Sequence, residues 1–284
     1  MLVLLGPSFA GGDADYQRLS KVTGMVAYDL RARLKPGMWG LVKALADEGE
    51  ARRLGGALAA EGFPSVMVAR EIATSPERPI VALKGLAIDG QELTLQLRER
   101  TMTVPVAALC SIVRGEAQVG KAGAVRAPGA ATSSATFRAV VPNSSDLQVF
   151  RESAPPSSFE AFAAADLHFH SVTWVARIDA RSFDFQALGI AAASPAAALD
   201  TLVDRLGLLA RVRVDRAARA SSIASFTQQA ARAGGPHPSP PTPMSQRGKE
   251  IAGDERFDPY SRVVGEAERK LAAQLAAAQA NASG

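Results

Sequence analysis

The order of apolar runs and helical patterns in the first quarter of the chain limits its possible folds more than any other feature. Residues 2–5 form a short apolar run with the length of a buried strand. Two helical patterns follow, and Thr23-Gly24 lies between them, where glycine provides the left-handed backbone conformation that often ends a helix. Residues 39–45 and 63–68 have strand-like patterns, and a third helical pattern separates them. The sequence therefore predicts the order β-α-α-β-α-β.

This order and the short motifs within it resemble the C-terminal domain of the bacterial ribosomal stalk protein. The motifs that carry the resemblance are Thr23-Gly24-Met25, Asp29-Leu30-Arg31, Glu50-Ala51-Arg52 and Glu61-Gly62. The resemblance extends over residues 2–69 and implies an α/β domain that performs no chemistry of its own.

The resemblance also implies a partner surface, because the stalk domain recruits translation GTPases through basic and apolar residues of its first helix. In this chain Tyr16, Gln17 and Ser20 occupy the corresponding positions, and Arg18 and Lys21 are the basic residues nearby. The basic face of the family is therefore not reproduced. We expect the scaffold to be shared and the partner to differ, because a fold does not fix a function.

The region that follows has the patterns of a β-rich domain. Leu93, Leu95 and Leu97 alternate with polar residues, which predicts a sheet with one face in water. Residues 115–136 are rich in Gly, Ala and Ser and predict a long mobile loop. Ser194-Pro195 then begins a closing helix. Several strands, a long insertion and one closing helix suit a small split barrel of the pleckstrin-homology type, a fold that commonly binds peptides or phosphoinositide headgroups.

The last part of the chain combines a proline-rich segment with a helical pattern. Residues 236–243 contain five prolines and predict an extended linker. Tyr260, Val264 and Ala267 then begin an apolar stripe along one face of a helix. A helix of this kind either docks on its own domains or binds a partner. Its alanine-rich stripe offers little area, so we expect any such contact to be weak.

These patterns together predict an α+β protein made of four segments. The segments are a stalk-like α/β domain over 1–72, a β-rich domain over 78–220 with a loop insertion at 115–136, a disordered proline-rich linker over 221–256, and an amphipathic helix over 257–284.

Charge and composition exclude several classes of protein. The formal net charge of +4 is too small for the dense basic field of a dedicated nucleic-acid binder, so we expect no nucleic-acid partner. Cys110 is the single cysteine, which excludes an intrachain disulfide. No apolar run approaches the roughly 20 residues that cross a bilayer. We therefore expect a cytoplasmic protein without a membrane span.

One string of residues resembles a catalytic motif. Asp166, His168 and His170 are two residues apart, so on a strand they face the same side, and two histidines in that position can bind a metal. The string resembles the opening motif of polymerase-and-histidinol-phosphatase-type metal hydrolases. Those sites draw several further histidines from elsewhere in the fold, whereas this chain has three histidines in all. A half-exposed strand face is the alternative interpretation.

A second group of candidate residues is basic. Arginines are concentrated in residues 201–232, where a solvated surface is the simplest explanation and an anion-facing patch is the alternative. The residues of a possible interaction surface are Arg18, Lys21, Arg211, Arg213 and Arg216.

The absence of a complete catalytic set, beside a scaffold known for binding, favours a non-enzymatic interaction or regulatory protein. We expect its partner to be a protein, and we expect no cofactor. Two alternatives stay open: a metal-dependent hydrolase that uses Asp166, His168 and His170, and a ribosome- or RNA-associated protein.

Overall fold

A computed structural model describes residues 1–121, 158–219, 221–226 and 257–283. It confirms the mixed α+β class, and its strands form one five-stranded and two three-stranded sheets. Within these described residues, no helix combines the length and the apolar character needed to cross a membrane.

The first unit has the predicted order β-α-α-β-α-β. Its elements are β1 (Leu2–Leu5), α1 (Asp13–Thr23), α2 (Ala27–Arg33), β2 (Gly40–Ala44), α3 (Glu48–Ala60) and β3 (Ser65–Val68). The strands form an antiparallel sheet in the order β2-β1-β3. Gly24 ends α1 with a φ of 69°, the left-handed conformation predicted for this turn. The resemblance to the stalk domain stays a prediction.

The sheet of this unit is buried on both faces. Alternate residues of a strand point to opposite sides, so Val3 and Leu5 pack against the three helices. Leu2 and Leu4 point the other way and join a second core with the β-rich region. Because both faces of the sheet are buried, β1 has apolar residues at every position.

The β-rich region forms the other two sheets. Its elements are β4 (Ile80–Leu83), β5 (Gly85–Asp89), β6 (Glu92–Gln96), β7 (Thr101–Pro105), β8 (Leu109–Lys121), β9 (Ser158–Phe169), β10 (Val175–Asp179), α4 (Pro195–Ala210) and β11 (Val214–Asp215). One sheet has the order β11-β8-β9-β10-β4 and the other the order β5-β6-β7. Both sheets and α4 share one apolar core. The likeness to a pleckstrin-homology barrel stays a prediction.

The loop predicted from residue 115 begins too early. Strand β8 continues through Lys121 and pairs with β9 over its whole length. The small residues that suggested a loop have a packing role, because a Cβ atom at Gly115 would lie 2.4 Å from the ring of Phe257. Composition therefore predicted a loop where close packing requires small residues. The remainder of the predicted loop, 122–136, lies outside the described residues.

The disordered linker predicted from residue 221 also begins too early. Ser221 and Ile223 are buried, and residues 222–226 form a helical turn. The Leu41 amide donates a hydrogen bond to Ser222 Oγ (2.6 Å), which attaches this segment to the edge of the first sheet. Residues 227–256, with the proline-rich run, lie outside the described residues.

The last helix, α5 (Phe257–Ser283), lies between the first unit and the β8–β9 strands. Residues 257–272 are buried or half-buried on every side. The helix docks on its own domains, which is one of the two predicted uses, and the fully buried aromatic side chains of Phe257 and Tyr260 add to the small area of the alanines. The side chains of residues 273–281 are exposed.

Candidate functional site

The first two residues of the string that resembles a catalytic motif, Asp166 and His168, lie on β9 and face α5. Asp166 is paired across the sheet with Arg177 of β10, and the guanidinium donates to both carboxylate oxygens at 2.7 and 2.8 Å. A second acid, Asp258 in the first turn of α5, lies 2.7 Å from the same guanidinium. Arg177 therefore holds one carboxylate from its own sheet and one from the helix.

The charges of this triad are deeply buried. Burial lowers the pKa of Arg177, but the carboxylates of Asp166 and Asp258 outweigh it and raise the pKa overall. Burial raises the pKa of Asp258, and the nearby guanidinium partly opposes that change. The triad is thus a cation held between two acids, which is the arrangement that makes a buried charge tolerable.

His168 is packed against the same helix and is also fully buried. Its Nε2 atom lies 3.0 Å from Ser261 Oγ, at hydrogen-bond distance. On the other side of the ring, a Cβ atom at Gly265 would lie 2.1 Å from Nδ1, so only glycine permits this approach. Burial lowers the pKa of His168 to about 4, although the Asp166 carboxylate acts in the opposite direction. The imidazole is therefore neutral at neutral pH.

His170 does not join this cluster. It follows the end of β9, its side chain is exposed, and its backbone amide donates to the Ala108 carbonyl at 2.8 Å. Among the residues that the structure describes, no group of three or more histidine, cysteine or acidic side chains is placed to hold a metal. The three residues of the string therefore do not form one site, because Asp166 and His168 are buried beneath α5 and His170 is exposed to solvent.

A second row of polar contacts continues along α5. The hydroxyl of Tyr260 donates to Asp215 Oδ1 (2.8 Å), and the indole of Trp39 donates to Glu268 Oε1 (2.7 Å). Arg213 connects the two pairs, with one nitrogen 3.2 Å from Glu268 and another 3.6 Å from Asp215. The row therefore reaches from the β-rich region through α5 to the first unit.

The remaining contacts attach α5 to β3 and to the segment that joins the two regions. Arg78 forms an ion pair with Glu266 (2.6 Å), and Arg262 donates to the carbonyl oxygens of Ala73 and Arg78. Lys270 donates to the Met67 carbonyl at 2.9 Å. We use the name polar belt of α5 for all of these contacts: the Asp166–Arg177–Asp258 triad with His168 and Ser261, the row around Arg213, and the attachments just described. Because its charged groups are paired and most of them are buried or half-buried, the belt is suited to fixing a helix in position.

The five residues of the predicted basic surface lie on two different parts of the fold. Arg18 and Lys21 lie on α1, where Arg18 pairs with Asp15 and stacks 4.7 Å from the ring centre of Phe63. Lys21 is exposed. The other three residues flank β11 and α4, and two of them are engaged within the chain: Arg213 belongs to the polar belt, and Arg216 pairs with Asp204. Arg211 ends α4 in the left-handed conformation, with a φ of 54°.

The turn between α1 and α2 exposes two apolar side chains that the sequence did not single out. Val26 is 66% exposed and Tyr28 is 77% exposed. Leu30 and Leu34 are buried, whereas Val26 precedes α2, which begins at Ala27, and lies outside the inward face of that helix. Gly24 is the sequence signal that one helix ends before this point and that a new helix must begin after it.

Other residues of the polar belt were missed for a different reason. Arg177 lies between Ala176 and Ile178 in the buried strand Val175–Asp179, and a charged residue between buried apolar neighbours indicates a buried partner. The identity of that partner depends on which strands and helices pack together, and local sequence does not give it. Asp258 and Ser261 were therefore not recognisable as its neighbours.

An open cleft of about 780 Å³ lies at the start of α4. Its charged lining residues already have partners: Arg181 forms a two-pronged pair with Asp179, and Asp184 accepts hydrogen bonds from the Gln186 and Ala187 amides. The cleft therefore presents mainly small apolar residues. No protein-family model, curated protein or solved structure matches this chain.

Proposed function

We propose that this chain is a non-enzymatic, cytoplasmic interaction protein that binds an acidic protein partner through its α1–α2 surface, formed by Lys21, Val26 and Tyr28. The observation that carries the proposal is the exposure of Val26 and Tyr28 at one turn. Exposed apolar groups that lie together, with polar residues around them, are typical of protein interfaces. Tyrosine is also among the residues that most often dominate binding energy.

The charges around this turn favour an acidic partner. Two of the acids of α1, Asp13 and Asp15, are paired with Arg31 and Arg18. The exposed basic residues Lys21, Arg33 and Lys35 then outnumber the one exposed acid of α2, Asp29. A partner with acidic side chains around an apolar centre would complement this distribution.

The turn is held in one conformation before any partner binds. Thr23 Oγ1 donates to the Leu19 carbonyl (2.7 Å) and accepts a hydrogen bond from the Met25 amide (3.2 Å). Ser20 Oγ donates to the Met25 carbonyl at 2.6 Å. Because the backbone is already ordered, binding costs less conformational entropy. This pre-organisation supports a binding role for the turn.

The use of the catalytic-looking string as part of the polar belt supports a non-enzymatic role. Both carboxylate oxygens of Asp166 accept hydrogen bonds from Arg177, and His168 is covered by α5. A metal or a substrate at these atoms would have to displace buried helix contacts. The hydrolase alternative is therefore the less favoured proposal.

Tyr28→Ala is expected to abolish capture of the partner. Loss of a central tyrosine at an interface weakens binding by about 2 kcal/mol or more, which is roughly a thirtyfold change in affinity. The measurement is affinity capture of the full chain from native lysate with quantitative mass spectrometry, run with and without nuclease. The matched control is Leu208→Ala, because Leu208 is 82% exposed on a different element, α4.

The proposal requires a protein that is recovered by wild type and Leu208→Ala but not by Tyr28→Ala, and that survives nuclease. A partner lost on nuclease treatment would indicate RNA association instead. Equal recovery by Tyr28→Ala and wild type would show that the α1–α2 surface is not the binding site. A rise in recovery with increasing salt would contradict the acidic character of the partner.

A further inference from the structure

The last turns of α5 differ from the rest of the helix in both exposure and charge. Residues 273–281 are exposed, and we call them the exposed segment. The last charged residue of the helix is Lys270; residues 271–283 consist of alanine, leucine and uncharged polar residues. Leu275 in the middle of the segment is 56% exposed. A helix in water normally carries charged residues on its outer face, and the exposed segment has none.

A groove runs beside the exposed segment. It has a volume of about 510 Å³ and lies between α3, β3 with the turn that precedes it, and Gln274 of α5. Gly55 and Gly56 form one wall, and Phe63 and Met67 lie within the lining. A Cβ atom at Gly56 would meet no atom within 4 Å, so the space over this glycine is open. Small residues on a helix allow a second helix to approach closely. We call this feature the α3 groove.

The exposed segment and the α3 groove complement each other. The segment offers a narrow helix with one larger apolar side chain, Leu275, and the groove offers glycines and an apolar lining. The groove residues and the segment are uncharged, so pairing them removes no charge from water. Both features lie side by side on one molecule, because Gln274 belongs to the segment and lines the groove.

That adjacency points to a second copy of the chain as the occupant. A two-fold axis beside Gln274 brings the exposed segment of each copy into the α3 groove of the other, and such an arrangement closes with two copies. The nine exposed helical residues and the eight further residues that line the groove are fewer than the roughly 20 residues per side of a standard interface, so the contact is small. A contact of this size and apolar character fits a reversible dimer.

We propose that the chain forms a symmetric dimer in which the exposed segment of each copy lies in the α3 groove of its partner. The two α5 helices then run antiparallel, with α3 of each copy on the outside and Leu275 in the contact. This dimer does not depend on the α1–α2 surface, so Tyr28→Ala is expected to leave it unchanged.

Leu275→Glu is expected to weaken the dimer at least tenfold, because it places a carboxylate in an uncharged contact. The measurement is sedimentation equilibrium of the full chain from about 1 to about 100 μM, a range that covers micromolar dissociation constants. Gly56→Leu tests the groove separately: it fills open space in the free chain, so the fold is retained while the groove is blocked. Leu208→Glu is the matched control, since it adds the same charge at an exposed leucine of α4.

The expected result is a dimer for wild type and Leu208→Glu, and a monomer for Leu275→Glu and Gly56→Leu. Circular dichroism of each variant checks that the helices are retained. A wild-type chain that stays monomeric at about 100 μM would overturn the proposal. A dimer that survives both Leu275→Glu and Gly56→Leu, or that Leu208→Glu disrupts equally, would place the contact elsewhere and overturn it as well.

Discussion

Arg177→Met is expected to lower the free energy of unfolding by about 3–5 kcal/mol, because it leaves buried carboxylates without their cation. The side chain of Asp166 is 0% exposed and that of Arg177 is 3% exposed, so water cannot replace the lost partner. Asp258 loses the same cation and with it one of the attachments of α5. Urea unfolding, followed by the midpoint and the slope of the transition, measures the effect.

Two further variants separate the buried charge from the loss of one large side chain. Arg181→Met removes an arginine that also forms a two-pronged pair with an aspartate, but its side chain is 38% exposed. We expect it to cost about 1 kcal/mol or less. Replacing the whole triad by apolar residues, as Asp166→Leu, Arg177→Met and Asp258→Leu together, is expected to recover most of the lost stability. Equal losses for Arg177→Met and Arg181→Met would contradict the role assigned to burial.

The sequence predicted the first unit well because its signals are local. Apolar runs such as Leu2–Leu5 and the Gly24 turn each act within a few residues, and the structure has the predicted order of elements there. The start of α3 is also fixed locally, because the Asp47 carboxylate accepts a hydrogen bond from the Glu50 amide.

The role of α5 could not be predicted in the same way. Its apolar stripe was visible, but Ser261 and Gly265 lie outside that stripe and are buried all the same. They are buried because β9 and the first unit enclose the helix from several sides, and those contacts join residues far apart in the chain. The string around His168 was noticed for its chemistry, whereas the structure assigns its buried members to the packing of a helix.

The stability of the protein is expected to fall as the pH falls from about 6.5 to about 4, and His168 is expected to cause part of this loss. Burial holds the folded-state pKa of His168 near 4, while the unfolded chain has the ordinary value of 6.5. Between these values the unfolded state binds a proton that the folded state does not, so acid favours unfolding. The stability that comes from the neutral, buried His168 is fully present above pH 6.5 and is lost as the pH approaches 4. It amounts to about 3 kcal/mol of the free energy of unfolding.

Groups from every neighbouring element act on this histidine. Asp166 on the same strand favours the protonated form, whereas Arg177 of β10, Arg78 before β4 and Arg269 of α5 disfavour it. Asp258 titrates in the opposite sense, because its raised pKa makes the folded state bind a proton more readily. The wild-type curve alone therefore mixes several groups, and a variant without the imidazole is needed to isolate His168.

The measurement is urea unfolding at several pH values for wild type, His168→Asn and His170→Asn. We expect wild type to lose about 3 kcal/mol more than His168→Asn between pH 7 and pH 4. Partial burial and the Arg269 guanidinium also lower the pKa of His170, so His170→Asn is expected to depart from the wild-type curve in the same direction as His168→Asn but by less. Parallel curves for wild type and His168→Asn would mean that the imidazole of His168 has an ordinary pKa. That result would contradict the burial of His168 between β9 and α5.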